Sequence, residues 1–339
     1  MKLTSRPIWG RFTQVTAGVV AIAGITGVLT LTAQTPGAPQ ATTKPFLWRV
    51  EGPVPSYLYG TIHVPDPKVL EIPVVVRRAF EASDALYTEI PLDPATQISV
   101  TPRLLLPAGQ DLKTVVGEAV FNRMIRVISN SPFGKSLPPG SGDLLAASMS
   151  RMKPIMALMQ LLQLDYMPDV LAGRKSLDAT LYDMATTARK QAGGLETVDE
   201  QMAVLDSLTL EEQVQALTSG LDSIEKPVPG QITVQKLVSL YLDGDLEAVA
   251  EEINKKDPEL EFIEKKFKTS LLDDRNVKMA DRIATRLAEQ PAKTYFFAVG
   301  AAHYPGDKGL VALLAKKGLK ITRLTPADAA TIRPAGSQR

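Results

Sequence analysis

Strand-like segments stand at both ends of this chain, with a long helical stretch between them. Residues 46–51 and 57–62 are short, aromatic-rich apolar runs separated by Gly52-Pro53-Val54-Pro55-Ser56, which is turn chemistry and predicts a β-hairpin. Helical spacing follows over 67–83, then a third strand over 85–90 that Pro91 stops. Near the other end, 295–301 is a continuous apolar run, 309–317 has helical spacing, Gly318 caps it, and 319–324 is again strand-like. From 111 to about 290 the pattern is mostly helical, with apolar-periodic stretches at 111–130, 144–166, 177–191 and 260–290 and a short strand over 193–198. A few strands cannot bury a face alone. Both ends must therefore join in one sheet, which predicts a single α/β or α+β domain with a central sheet built from N- and C-terminal segments around a large helical middle region.

Composition supports a folded domain and removes several functions. Of the 339 residues, 45% are hydrophobic and 22% charged, the ordinary range for globular chains. Lys and Arg number 38 against 37 Asp and Glu, so no net field exists to concentrate nucleic acid. The absence of cysteine excludes disulfides, thiolate ligands and Cys nucleophiles. No phosphate-binding Gly-rich loop, serine-esterase elbow or dinucleotide fingerprint occurs.

Lys2, Arg6 and Arg11 precede an uncharged run over 12–32, rich in Val, Ala, Ile, Gly and Leu. Residues 1–33 thus read as an export signal or an N-terminal membrane anchor, and either outcome places the domain outside the cytoplasm, periplasmic or secreted. A Pro-, Thr- and Gln-containing linker over 34–44 leads to the domain at 45–325, and 326–339 reads as a flexible tail.

The chain has only two histidines, each the fourth residue of a Gly-x-x-His segment: Gly60-Thr61-Ile62-His63 and Gly300-Ala301-Ala302-His303. With 23 glycines in the chain, that coincidence has a chance probability of roughly one in two hundred. Both segments end an apolar strand run and precede a Pro-containing loop, which is where open α/β sheets build sites. Two neutral imidazoles suit a divalent metal, but a catalytic site needs a third protein ligand. Glu89 meets that need, standing at the end of the third strand, where an isolated buried charge is costly. Its structural alternative is an edge-strand acid facing water. Glu196 fits either a site or the capping of a helix with Thr197 and Glu200, and for Arg275 and Asn276 a solvated helix face is the default. Met149, Met152, Met156 and Met159 recur at helical spacing and read as core filling.

The chain resembles the TraB/GumN/Tiki family, itself similar to the ChaN and erythromycin-esterase group. The likeness runs from Pro45 to Leu324. It is carried by Leu47-Trp48-Arg49-Val50 with Tyr57-Leu58-Tyr59 and the first Gly-x-x-His, by Thr88-Glu89-Ile90, and by Gly194-Leu195-Glu196-Thr197 with Glu200-Gln201. Leu272-Asp273-Asp274-Arg275-Asn276 with Met279-Ala280, and Val299-Gly300-Ala301-Ala302-His303-Tyr304-Pro305-Gly306 through Leu313-Leu314 to Lys317-Gly318, complete it. The resemblance implies a metal-dependent hydrolytic centre, peptidase-like, using manganese, cobalt or zinc. It puts metal ligation on His63, His303 and Glu89, catalysis on these three and Arg275, and supporting or substrate contacts on Asn276, Glu196, Gly60 and Gly300. Such a centre hydrolyses amide or ester bonds of a peptide or small-molecule substrate, with Glu89 as ligand or general base and Arg275 facing the developing oxyanion. The alternatives are a non-catalytic protein that sequesters extracytoplasmic peptides and an accessory of polysaccharide export; fold membership does not choose between them.

Overall fold

The computed structural model describes residues 44–227, 233–254 and 269–333. The expected export signal or anchor over 1–33, linker residues 34–43, the first part of the expected helix over 260–290 and the end of the tail lie outside the described residues. No helix among the described residues is long and apolar enough to cross a membrane.

Six strands form one mixed sheet in the order β4-β3-β5-β2-β1-β6. They are β1 (Leu47–Val50), β2 (Ser56–Thr61), β3 (Ala85–Thr88), β4 (Gln191–Gly194), β5 (Tyr295–Gly300) and β6 (Ile321–Arg323). The expected hairpin is present: β1 pairs antiparallel with β2, Leu47 opposite Tyr59. β6 adds antiparallel to β1. The other pairs are parallel, β2 with β5, β5 with β3 and β3 with β4, so the carboxyl ends of four strands face the same way. β5 is the centre of that parallel part, and every residue of its Tyr-Phe-Phe-Ala-Val-Gly run is buried, as a strand covered on both faces requires. The sheet does draw on both ends of the chain.

Helices α1 (Val74–Ala82), α2 (Pro94–Val100), α3 (Leu112–Val116), α4 (Glu118–Asn130), α5 (Pro132–Ser136) and α6 (Gly142–Met149) come first. α7 (Pro154–Leu162), α8 (Met167–Leu171), α9 (Leu177–Thr187), α10 (Val198–Asp206) and α11 (Leu210–Glu225) follow, then α12 (Val234–Asp243), α13 (Leu246–Asn254), α14 (Asp274–Glu289) and α15 (Leu310–Lys316). Several are shorter than the apolar period suggests. Gly117, at φ +81°, separates α3 from α4, and Pro154 restarts the helix expected over 144–166. Pro73 likewise delays the helix expected from 67 until Val74. The strand expected over 193–198 lies at 191–194, because Thr197 begins α10 with a reciprocal capping box to Glu200. Met149 and Met159 are buried in the core.

The tail expected from 326 is not free at its start. Pro326–Thr331 forms a 3₁₀ turn capped by Thr325 and Asp328, Arg78 of α1 donates to Ala329 O, and Ile332 is buried. The apolar contact at Ile332 fixes a segment whose polar composition reads as frayed.

Candidate functional site

Each of the four parallel strands delivers one ionisable side chain just past its carboxyl end. His63 follows β2, Glu89 follows β3, Glu196 follows β4 and His303 follows β5. The register makes them neighbours, since Thr61 pairs with Gly300 and Thr88 with Gly194. Arg275 and Asn276 enter from the first turn of α14, directly after a π-helical turn at Thr269–Asp273, and Asp178 enters from the first turn of α9. Such π-turns are frequent at functional positions.

Every buried Asp, Glu, Arg and His among the described residues belongs to this cluster: His63, Glu89, Asp178, Glu196, Arg275 and His303. Burying a charge is costly unless it is paired, and here the pairing is dense. Arg275 Nη2 donates to Glu89 Oε2 at 2.6 Å and to Glu196 Oε2 at 2.6 Å, and Nε donates to Glu196 Oε2 at 2.9 Å. Its Nη1 donates to Leu271 O, the carbonyl presented by the π-turn. Gly300 N donates to Glu89 Oε1 at 2.9 Å. That same oxygen stands 3.4 Å from His63 Nε2 and 3.7 Å from His303 Nε2.

The far nitrogens of both rings are held from behind. His303 Nδ1 lies 2.6 Å from Asn276 Oδ1, and Asn276 Nδ2 donates to Lys308 O, which fixes the amide with its oxygen toward the ring. His63 Nδ1 lies 2.6 Å from Asp178 Oδ2, an ion-pair contact off the line of a straight N–H···O bond. Thr61 Oγ1 donates to Asp178 Oδ1 at 2.5 Å. Behind the first Gly-x-x-His segment, Tyr241 Oη meets Tyr59 Oη and Gly60 O, while Tyr304 Oη donates to Tyr59 O. Trp48 stacks on Tyr304 with ring centres 4.6 Å apart.

The two histidines are electrostatically unlike. Burial disfavours charge on His63, but Asp178 and then Glu89 outweigh it and raise its pKa to about 10. Burial lowers His303 to about 3, helped by Arg275 and His63 and opposed by Glu89. Burial also works to raise Glu89, yet Arg275, His303 and His63 hold it well below the usual carboxylate range. Glu196 is raised by burial, with Arg275 opposing.

The expected ligands His63, His303 and Glu89 do converge, although they are 240 positions apart in the chain at the extremes. They are not a ready-made cage: among the described residues, no group of three or more His, Cys, Asp or Glu side chains stands arranged to hold a metal ion. Both Glu89 oxygens already accept hydrogen bonds. Three observations nonetheless match a divalent cation. His63 Nε2 is a buried nitrogen with no hydrogen-bond partner. The 3.4 and 3.7 Å separations approach the roughly 3.3 Å edge of a tetrahedron of ligands about 2 Å from zinc. With His63 protonated, as its raised pKa implies, three carboxylates against one guanidinium and one imidazolium leave a formal charge of −1 buried at the site, and −2 once that ring gives up its proton.

Four expected supporting residues also have defined places. Glu196 is not part of the α10 capping box; it is buried against Arg275, and Glu200 does the capping. Asn276 orients His303. Gly300 lets the strand end pass close to Glu89 and His63, since a Cβ there would meet Glu89 Oε1 at 3.0 Å and His63 Nε2 at 3.3 Å. Gly60 is further back, where a Cβ would meet Phe46 Cβ at 2.8 Å. Arg275, expected to face an oxyanion, has its guanidinium hydrogen-bonded to Glu89, Glu196 and Leu271 O, so in this structure it holds carboxylates. Asp178 is absent from the sequence expectation, and Gln201, whose Nε2 lies 3.4 Å from Glu89 Oε2, stands in it as part of the family likeness with no site role. The site side chains are 94% or more buried, His63 being the most exposed at 6%. A surface hollow lined by Asp84, Gln290, Pro291, Ala292 and Lys293 lies at the opposite, amino ends of β3 and β5.

A parallel sheet edge that gathers paired Gly-x-x-His histidines and a strand-end glutamate is the class of protein that the sequence motifs imply. The family model of TraB/PrgY/gumN matches residues 46–323, and the chain belongs to that family. It is 29% identical over 332 residues to "Metalloprotease TIKI1" of Danio rerio, covering 88% of this chain and 66% of that protein. It is 29% identical to the "Metalloprotease TIKI homolog" of Nematostella vectensis (85% and 69% covered) and 28% identical to "Metalloprotease TIKI1" of Homo sapiens (83% and 62%). The chain thus spans about two thirds of the length of these relatives. No solved structure matches it.

Proposed function

We propose that the protein is a metal-dependent hydrolase of the peptidase type, with His63, His303 and Glu89 holding one divalent cation. The observation that carries this is the approach of both imidazole Nε2 atoms to a single carboxylate oxygen, Glu89 Oε1, at the carboxyl edge of the sheet. The buried excess of carboxylates over cationic groups and the metalloprotease names of the relatives support it. When bound, the cation supplies Lewis acidity that polarises a substrate carbonyl and makes a water more acidic. Manganese, cobalt and zinc all accept an imidazole and carboxylate set.

The chain's own residues divide the remaining work. Arg275 and Gly300 N hold Glu89 in place, and Glu196 balances the charge of Arg275 on its other side. Glu89 Oε1, facing both rings, is the atom placed to ligate or to take a proton from the attacking water. Because the side chains are almost fully buried, they exclude solvent from the reacting groups, which strengthens every electrostatic contact among them. The basic-then-apolar pattern of residues 2–32 supports action outside the cytoplasm.

The test is cleavage of a peptide library by the purified full chain, with and without manganese, cobalt or zinc. Cleavage that requires metal and is lost in His63→Ala and His303→Ala supports the proposal. Tight peptide binding without turnover under every condition overturns it in favour of sequestration.

A further inference from the structure

We infer that Asp178 is a positioning residue for His63, fixing the proton of that ring on Nδ1 so that Nε2 is the nitrogen presented to Glu89. The inference rests on the proposed metal-holding role of the site and adds a residue to it. Asp178 is 2% exposed, comes from the first turn of α9, and reaches His63 Nδ1 at 2.6 Å. A first-turn acid ordinarily faces outward to complement the helix dipole. Here the carboxylate points inward, and its second oxygen accepts from Thr61, two residues before His63. The first Gly-x-x-His segment therefore supplies both the ring and the hydroxyl that aims the ring's partner.

Asn276 does the equivalent for His303 without a charge. Metal-ligating histidines characteristically give their second nitrogen to a carboxylate or carbonyl oxygen, which sets the tautomer and ring orientation. The pairing of one anionic and one neutral acceptor makes the two rings distinguishable: His63 is the one whose ligating nitrogen is backed by a full negative charge. Thr61 thus acts on the ring through Asp178, and the missing side chain of Gly300 leaves its Nε2 uncovered.

With only two histidines in the chain, the inference can be read directly. The full chain, ¹⁵N-labelled at histidine and kept free of metal, is recorded by long-range ¹H–¹⁵N correlation, for wild type, Asp178→Asn and Asp178→Ala. The rings are assigned by His63→Gln and His303→Gln. In wild type, the neutral His63 ring carries its proton on Nδ1; in the Asp178 variants the neutral ring moves toward the Nε2–H form, while His303 is unchanged. Zinc affinity, measured by chelator competition, falls by about 10- to 100-fold in Asp178→Asn. A wild-type His63 that is neutral with its proton on Nε2 overturns the inference without any substitution, as does unchanged zinc affinity in Asp178→Asn alongside measurable binding by wild type. If wild type binds no zinc, the metal-holding role fails, and the ring spectra still decide the role of Asp178.

Discussion

Arg275 Nη2 holds Glu89 by one carboxylate oxygen at 2.6 Å, while the other oxygen is left facing both histidines of the chain. The same nitrogen holds Glu196, so one guanidinium keeps two buried carboxylates compatible. Replacing Arg275 by Met leaves them unpaired and should destabilise the fold by about 3–5 kcal/mol. Lysine should not restore the loss, because an ammonium cannot reproduce the planar fork. Glu196→Gln, which leaves Arg275 paired with Glu89, should cost less than Arg275→Met. Urea denaturation of the metal-free variants checks the order; an Arg275→Met variant as stable as wild type would contradict it.

Stability of the metal-free protein should fall on both sides of neutrality. His63 is raised from 6.5 to about 10, so its contribution is complete below pH 6.5 and is lost as pH rises through 10. His303 is lowered from 6.5 to about 3, so the unfolded chain takes up a proton first and stability drops as pH falls from 6.5 toward 3. Glu89, held below its ordinary 4.5, adds to the same acid loss. Thermal melting across pH should show His63→Gln removing the alkaline limb and His303→Gln weakening the acid limb. Identical profiles for both variants and wild type would refute the assignment.

Cation binding at pH 7 to 9 should release a proton from His63, since a ligating imidazole must be neutral and this one is raised to about 10. Calorimetry in buffers of different ionisation enthalpy reads the number directly. Release near one proton per ion is expected; none would mean that His63 is not displaced from its charged form.

The two motif glycines should behave differently. A methyl at Gly300 enters among Glu89 Oε1, His63 Nε2 and His303 Cδ2, so Gly300→Ala should lower metal affinity and turnover more than stability. A methyl at Gly60 strikes Phe46 in the core, and Gly60→Ala should cost about 1–3 kcal/mol of stability as overpacking does. Melting and metal titration of both variants distinguish them, and equal losses of affinity per loss of stability would count against the site assignment.

The sheet was legible because its strands are continuous apolar runs bounded by Pro and Gly, and His63, Glu89 and His303 were legible because each ends such a run. Helix breaks at Gly117 and Pro154 were not, since apolar spacing continues across both while backbone geometry does not. Arg275 and Asn276 look like part of a charged helix surface, yet both are buried in the first turn of α14, directly after the π-turn. In the sequence only the family likeness sets them apart. Asp178 had no signal of its own, because an acid in a first helical turn is explained by the helix dipole, and only the packing of α9 on β3 and β4 turns it toward His63.

The most direct measurement is the metal content of the purified full chain after incubation with manganese, cobalt or zinc and exhaustive dialysis, compared with His63→Ala and His303→Ala. One bound ion per wild-type chain and essentially none in either variant is the predicted result. A folded wild-type chain that retains no metal, or variants that retain as much as it does, would contradict the shared cation on which the account depends.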